Sequence, residues 1–412
     1  MLETHLKIAV TCRRLRAGPA ADHIDGFADW LHGHGYTPVT IKTMLRSLAG
    51  WTDWMLAGGF TARELIQGFE ASKAAINKTR RVPYSRGPNR YSLTAAAVFI
   101  RFLQHKGKLA PPPIPPSATD LWPVLGEFRS WMLQHRGLTE ATLDVYQGIL
   151  VGLLEAIGDD ASAYCAEALR AFVLERAHAH GIDRAKSIVV AVRSFLRFLG
   201  ATGRCLPDMD HAIPGFASWR LSATPRYLAS EDVERVIGSC TDYVNGLRDR
   251  PVLLLLARLG LRASEVAQLK FADIDWHSGN ITVCGKGRRH ESLPLPQEVG
   301  NAILLYINRD RPSLQIPEVF ISVLAPFRAL TRASVTHIVR SALRRAGIKA
   351  PINGAHVLRH SAATTMLRQG ASLAGIGAVL RHRSPMTTAH YAKVDMGLLS
   401  QIAQPWPGVS SC

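Results

Sequence analysis

Six residues in the C-terminal half of the sequence have side chains and neighbours that suit chemistry on a phosphodiester. Arginine, lysine and histidine can bind and polarise phosphate oxygens, and a phenol can act as a nucleophile that holds the product covalently. The arginine fork donates two parallel hydrogen bonds and stays charged, so it suits a phosphate clamp. The candidate residues are Arg262, Lys286, His356, Arg359, His382 and Tyr391.

Tyr391 is the candidate nucleophile. A free phenol has a pKa of about 10, so it needs a base and a positive field to lose its proton near neutral pH. His356 and Arg359 stand three residues apart, which places both on one face of a helix. We expect His356 to be the base and Arg359 to supply the field, with Arg262 as the second clamp on the phosphate. Glu265 is expected to orient its neighbours.

Other kinds of site fit parts of the same pattern less well. His356 and His360 form an i, i+4 pair that could indicate a metal, but the zinc-protease pattern requires Glu where Val357 stands. Gly285-Lys286-Gly287 lacks the residue spacing of a nucleotide-binding loop. Taken alone, Lys286 could also be a simple DNA contact.

In their order and spacing the six residues resemble the tyrosine recombinase (phage integrase-like) family. The separations agree as well as the residue types: 24 residues from Arg262 to Lys286, 23 from Arg359 to His382 and nine from His382 to Tyr391. Each motif is a weak signal by itself. All six in this order form a specific signature.

The resemblance extends over residues 227–399 and implies cleavage and rejoining of DNA through a 3′-phosphotyrosyl intermediate, without metal, ATP or another cofactor. It implies that Lys286 protonates the departing 5′ oxygen and that His382 donates to a phosphate oxygen. One position departs from the family, which usually has glycine just before the second histidine, where this chain has Arg381. The backbone geometry at that point is therefore left open.

The composition is strongly basic. The 412 residues include 49 Lys and Arg against 32 Asp and Glu, for a formal net charge of +17. Because these cations are spread along the chain, we expect a polyanionic partner, bound with counterion release. The family resemblance implies that this partner is double-stranded DNA. No apolar run is long enough for a membrane span, and no secretory signal is evident. Six single cysteines without a C-x-x-C pair favour a reducing cytoplasm.

Two proline-rich stretches, 111–116 and 206–226, divide the chain because such sequences interrupt helices and strands. The second segment resembles the helical core-binding domain that precedes the catalytic domain in the family. The expected divisions are an N-terminal helical arm at 1–115, the core-binding domain at 117–205, a linker at 206–225, the catalytic domain at 226–400 and a tail at 401–412.

The first two segments share motifs that indicate an internal duplication. Phe27-x-x-Trp30 recurs as Phe128-x-x-Trp131, and the run at 99–103 recurs at 195–199. Apolar residues at helical spacing predict two compact bundles, with Trp30 and Trp131 buried at equivalent positions. Independent convergence of two small helical bundles is the alternative.

The two bundles are expected to differ in their attachment. We expect the second to be tied closely to the catalytic domain, and the first, set off by the proline linker, to extend the contact with DNA. The basic stretch 78–86 could contact phosphates there, or be a solvated loop.

The catalytic segment combines helices with a short hairpin. We predict helices at 251–259, 333–345 and 356–368, strands around 281–283 and 292–295, and a short helix that begins at Ser384-Pro385 and carries Tyr391. The predicted fold class is mainly α: two N-terminal helical bundles and a mixed α+β catalytic domain with a small antiparallel sheet.

The sequence thus predicts a site-specific DNA recombinase or integrase that moves a mobile element. We expect a homo-oligomer, a tetrameric synapse on DNA, with companion recombinases as further partners and the apolar stretch 397–403 docking into a neighbouring protomer. The alternatives are a type IB topoisomerase-like enzyme and a catalytically silent DNA-binding accessory protein. The presence of all six residues argues against the silent protein.

Overall fold

A computed structural model describes residues 2–6, 8–79, 89–111, 115–217, 225–285, 290–382 and 384–394. Lys286, most of the basic stretch 78–86 and the tail beyond residue 394 lie outside the described residues. By its internal contacts the chain forms two compact units: Met1–Ala110 with Ala223–Cys412, and Pro111–Ser222. Among the described helices, none is long and apolar enough to cross a membrane.

The first bundle is built on amphipathic helices that bury an aromatic and aliphatic core. Thr37 caps the helix Pro38–Ala57 by accepting a hydrogen bond from the Thr40 amide at 3.2 Å, and Trp51 at the bundle's centre donates to Ser72 at 3.0 Å. The helices are α1 (Leu2–His5), α2 (Ala9–Ala17), α3 (Ile24–Gly33), α4 (Pro38–Ala57), α5 (Leu65–Thr79) and α6 (Arg90–His105).

This bundle also contacts the catalytic region of the chain. Ala325 packs against its hydrophobic core. Gly35 has a φ of +78°, and a Cβ on it would lie 2.7 Å from Cε2 of Phe327. Only glycine therefore allows this close approach. The sequence led us to expect that the second bundle would be tied closely to the catalytic domain. In the structure it is the first bundle that shares a compact unit with residues 223–412.

The second bundle has five described α-helices, one fewer than the first, and a core of its own. Phe195 and Phe198, both on its last helix, are buried in that core. The helices are α7 (Ala118–Leu121), α8 (Pro123–Arg136), α9 (Glu140–Ile157), α10 (Ala166–His178) and α11 (Ile182–Ala201).

Aromatic packing is nearly identical in the two bundles. In the first, Phe27 packs on Phe99 edge-on at 5.1 Å and 80°; its counterparts Phe128 and Phe195 lie 5.4 Å apart at 88°. The Trp30–Phe102 and Trp131–Phe198 ring pairs are 5.7 and 5.9 Å apart, at 55° and 56°. Both tryptophans are half-buried, less than predicted, but they occupy equivalent positions. This agreement supports the duplication.

The catalytic segment surrounds a large apolar core with helices and one small sheet. Apart from the sheet, the described elements here are α12 (Ser230–Gly238), α13 (Gly246–Arg258), α14 (Ala263–Gln268), α15 (Gln297–Arg309), α16 (Arg332–Arg345), α17 (His356–Arg368), α18 (Leu373–Val379), α19 (Pro385–Ala389) and two 3-10 helices (Phe271–Asp273 and His390–Val394). The fold is mainly α with a small antiparallel sheet, as predicted.

The sheet has three antiparallel strands in the order β1-β2-β3. They are β1 (Ile274–Asp275), β2 (Asn280–Cys284) and β3 (His290–Pro294), and Ile281 faces Leu293 across the hairpin. The sequence predicted β2 and β3 but not β1, because two residues are too few for a periodic signal.

Candidate active site

Five of the six predicted side chains converge on one cavity of about 490 Å³. Helix α17 carries His356 and Arg359, while Arg262 stands at the N-terminus of α14. His382 follows α18, and Tyr391 lies on the 3-10 helix after α19. Residues that are distant in sequence therefore meet at one cavity. The cavity is lined by Arg262, His356, Arg359, His360, His382, Met386, Thr387, His390 and Tyr391.

Arg359 is fixed by backbone carbonyls and is 3% exposed. Its two terminal nitrogens donate to the carbonyl oxygens of Gly260 and Leu380. Gly260 has a φ of +60°, and a Cβ there would lie 2.5 Å from a Leu380 methyl. Glycine thus lets the chain before α14 approach the turn after α18. Burial, and then the nearby Arg262, lower the pKa of Arg359 to about 10, which leaves it charged at neutral pH.

Arg262 is held by Glu265. Its Nη1 donates to Oε1 of Glu265 at 2.6 Å, and its backbone N–H donates to Oε2 at 2.7 Å. Burial would raise the pKa of the Glu265 carboxyl, but hydrogen bonds from Arg262 and the charge of Arg381 hold that pKa below its ordinary range. Glu265 therefore stays ionised and orients its neighbours, as predicted from the sequence.

The Tyr391 side chain is almost completely buried, at 2% exposure. Its hydroxyl lies 2.8 Å from Nδ1 of His360. Burial raises the pKa of the phenol, and the charge of Arg359 opposes that rise. The side chain is thus a neutral phenol at neutral pH, and Nδ1 of His360 is the ring nitrogen that can accept its proton.

The histidines of the cavity are held neutral. Burial, and then the charges of Arg359 and Arg262, lower the pKa of His356. Burial is also the main cause that lowers the pKa values of His360 and His382, in both cases to about 4. A neutral imidazole can accept a proton at one nitrogen and donate from the other. His382 Nδ1 lies 2.8 Å from the Thr388 hydroxyl, which leaves Nε2 for a ligand.

The sequence pointed to His356 as the group beside the phenol, whereas the structure gives that contact to His360. His356 instead packs edge-on against His360, with ring centroids 4.6 Å apart. The i, i+4 histidine pair was visible in the sequence but suggested only a metal. Lys286 lies outside the described residues, so its place in the site stays a prediction.

One group of possible metal ligands occurs among the described residues, at Asp208, Asp210 and His211, far along the chain from the cavity residues. Asp210 is buried and accepts from Nε of Arg197 at 2.6 Å. That carboxylate therefore serves an ion pair within the second bundle.

Comparison with known proteins shows which family the chain resembles. Residues 226–397 match the phage integrase family. The integrase/recombinase-named protein y4rA of Sinorhizobium fredii is 36% identical over 401 residues, 95% of each chain. Tyrosine recombinase XerA of Pyrococcus furiosus is 31% identical over 285 residues, which cover 68% of this chain and 93% of XerA.

Solved structures share the fold at lower identity. XerH recombinase bound to palindromic difH substrate, a post-cleavage complex, has a TM-score of 0.54 at 19% identity, over 73% of this chain and 92% of XerH. A lambda integrase tetramer bound to a Holliday junction has a TM-score of 0.52 at 16% identity, over 75% of this chain and 88% of the integrase. The identity and coverage shared with y4rA and XerA establish that the chain belongs to the phage integrase family and is a tyrosine recombinase.

Proposed function

We propose that this protein is a site-specific DNA recombinase that cleaves and rejoins strands through a 3′-phosphotyrosyl intermediate, with Tyr391 as nucleophile. The observation that carries the proposal is the buried Tyr391 hydroxyl, held 2.8 Å from His360 in the same cavity as Arg262 and Arg359. A nucleophile, a proton acceptor and two phosphate-binding cations are thereby within reach of one phosphodiester.

The two arginines would stabilise the charge of the transition state. Their guanidinium groups are already oriented by Glu265 and by backbone carbonyls, so little reorganisation is needed when a phosphate enters. In our proposal Arg262 and Arg359 bind the non-bridging oxygens, and Nε2 of His382 donates to one of them.

The proton and bond changes balance within the site. The Tyr391 oxygen forms a bond to phosphorus while the bond from phosphorus to the 5′ oxygen breaks. The phenolic proton passes to Nδ1 of His360, and the departing 5′ oxygen takes a proton from Lys286, the role that the family resemblance implies for it. Attack by a 5′ hydroxyl on the phosphotyrosine reverses these changes, so rejoining needs no external energy.

Double-stranded DNA and a tetrameric assembly are the proposed partners. The XerH and lambda integrase structures are of complexes with DNA, and one of the latter is a tetramer on a Holliday junction. The net charge of +17 suits a polyanion. We further propose that the reaction serves a mobile element and involves companion recombinases.

Covalent trapping tests the nucleophile. A DNA substrate nicked beside the cleavage position loses a short fragment after cleavage, so the adduct accumulates. The wild-type protein should form a protease-sensitive protein–DNA adduct in EDTA, and Tyr391→Phe should bind the same DNA without forming one. The matched control is Tyr227→Phe, because the Tyr227 hydroxyl accepts from Arg368 at 2.8 Å away from the cavity. An adduct formed by Tyr391→Phe would assign the nucleophile elsewhere.

A further inference from the structure

Arg381 occupies a backbone position that favours glycine. Its φ is +55°, and Asp208 is the one other non-glycine residue with a positive φ in the described part of the chain. A side chain in this region is strained, whereas glycine adopts it freely. The family resemblance also predicts glycine here. The presence of arginine therefore needs an explanation in its side chain.

The side chain of Arg381 is buried within an ion-pair network. It is 2% exposed, and its Nη2 donates to Oε2 of Glu265 at 2.8 Å. Nη1 donates to the carbonyl oxygen of Val379 at 2.9 Å, and Glu291 lies 4.0 Å from Nε. Both terminal nitrogens are thus engaged by the protein. A buried, doubly held guanidinium fixes the position of whatever it binds.

Glu265 passes this constraint to Arg262. The carboxylate oxygen that binds Arg381 also accepts the backbone N–H of Arg262, and the other oxygen accepts its Nη1. The carbonyl oxygen of Arg381 accepts from Nη2 of Arg262 at 3.2 Å. Arg381 is therefore connected to Arg262 in two ways: directly, through its backbone carbonyl, and indirectly, through the Glu265 carboxylate.

We propose that Arg381 is a positioning residue for the recombination reaction: its ion pair with Glu265 sets the guanidinium of Arg262 at the angle needed to clamp the phosphate. This inference rests on the proposed function. Glycine would provide the backbone carbonyl alone, so this chain adds a side-chain route that the glycine of its relatives' pattern cannot supply.

A direct contact between Arg381 and phosphate is the competing role. Arg381 borders a larger cavity of about 1300 Å³ that also contains His382 and Met386. Its Nε has no hydrogen-bond partner among the described residues. Arg381 does not, however, line the smaller cavity that contains Tyr391, whereas Arg262 and Arg359 both do. The contacts therefore favour positioning over direct binding.

A double-mutant cycle between Arg381 and Glu265 separates the two roles. The variants are Arg381→Gly, Glu265→Gln and the double variant, and the measurement is the first-order rate of adduct formation at saturating protein, beside DNA affinity and Tm. Each single change should slow adduct formation about 10- to 100-fold with DNA affinity unchanged, because a displaced clamp weakens the transition state. The double variant should be no slower than the slower single variant.

The control for the backbone is Asp208→Gly, which replaces the other positive-φ side chain, exposed and outside the site, and should leave the rate unchanged. If Arg381→Gly does not fold, Arg381→Lys takes its place in the cycle and should lose less activity. A double variant whose loss equals the product of the two single losses would overturn the proposal, as would an unchanged rate in Arg381→Gly. If the wild-type protein forms no adduct, the proposed function fails before this cycle begins.

Discussion

The Tyr391 hydroxyl and His360 Nδ1, 2.8 Å apart, are the closest pair of reacting groups in the site. Because the pKa of His360 is lowered to about 4, by burial first and by His356 and His390 next, its ring is neutral near pH 7 and can accept the phenolic hydrogen. A correctly placed general base contributes roughly 100- to 10,000-fold to a rate. His360 therefore matters for the rate of attack more than for the binding of DNA.

We expect His360→Leu to lower the rate of adduct formation by about 100-fold or more, because no acceptor remains beside the phenol. His360→Asn should lose less, since its amide can take the place of Nδ1 and hold the hydroxyl. The exposed His277 provides the control substitution, His277→Leu, which should act like the wild type. Equal rates in His360→Leu and the wild type would return the role of base to His356.

The lowered histidine pKa values also predict how stability depends on pH. The ordinary value in the unfolded chain is near 6.5, and the folded values of His360 and His382 are about 4. The folded state thus binds fewer protons than the unfolded chain between these two pH values. The contribution of these two histidines to the free energy of unfolding is therefore fully present above pH 6.5 and is lost as pH falls toward 4. Burial is the main cause in both residues.

Differential scanning calorimetry from pH 7.5 to 4.5 should show this loss, and His360→Asn should show a smaller fall in Tm over the same range than the wild type. Because the other histidines titrate in both proteins, their contribution to the fall in Tm cancels when the two are compared. An identical fall in the two proteins would mean that the folded pKa of His360 is not depressed.

At the scale of elements, what the sequence could predict depended on how local the signal was. Helix α17 was predicted with both of its ends, 356–368, and Gly370, with a φ of +87°, is a local signal for its C-terminal end. The hairpin strands β2 and β3 were predicted to within one or two residues for the same reason. The catalytic cavity was predicted from the resemblance, since separation along the chain does not itself show proximity.

Contacts between side chains on different elements could not be predicted from the sequence. His360 and Tyr391 are 31 residues apart, and their contact depends on how the 3-10 helix packs on α17. Arg381 was noticed only as a departure from a pattern; its pairing with Glu265, 116 residues away, needed the fold. The attachment of the first bundle likewise rests on Gly35 and Phe327, which no local periodicity connects.

At the scale of the molecule, the similar packing of the two bundles raises the question of whether both bind DNA. Their last helices, α6 and α11, carry the same aromatic pair, and matching positions on or just after these helices are basic. In the second bundle Arg197 pairs with Asp210, and Arg204 with Glu127. In the first bundle Arg101 and Lys108, which match these two residues, are exposed, as is Arg90 at the start of α6. Exposed cations on a copied scaffold are suited to phosphate contacts with flanking DNA.

Salt dependence of binding tests this idea without removing the bundle, which shares a compact unit with the catalytic region. We expect the variant with Arg90, Arg101 and Lys108 all changed to Gln to reduce the slope of log K against log salt on long DNA, by up to roughly 2.7, because each phosphate contact contributes about 0.9. On a short core site, which ends before the flanking DNA, the slope should stay as in the wild type. Arg14→Gln is the control in the same bundle, since Arg14 donates to Asp53 at 2.7 Å. An unchanged slope on long DNA would indicate that the first bundle binds protein partners instead, because its cations would then release no counterions from flanking DNA.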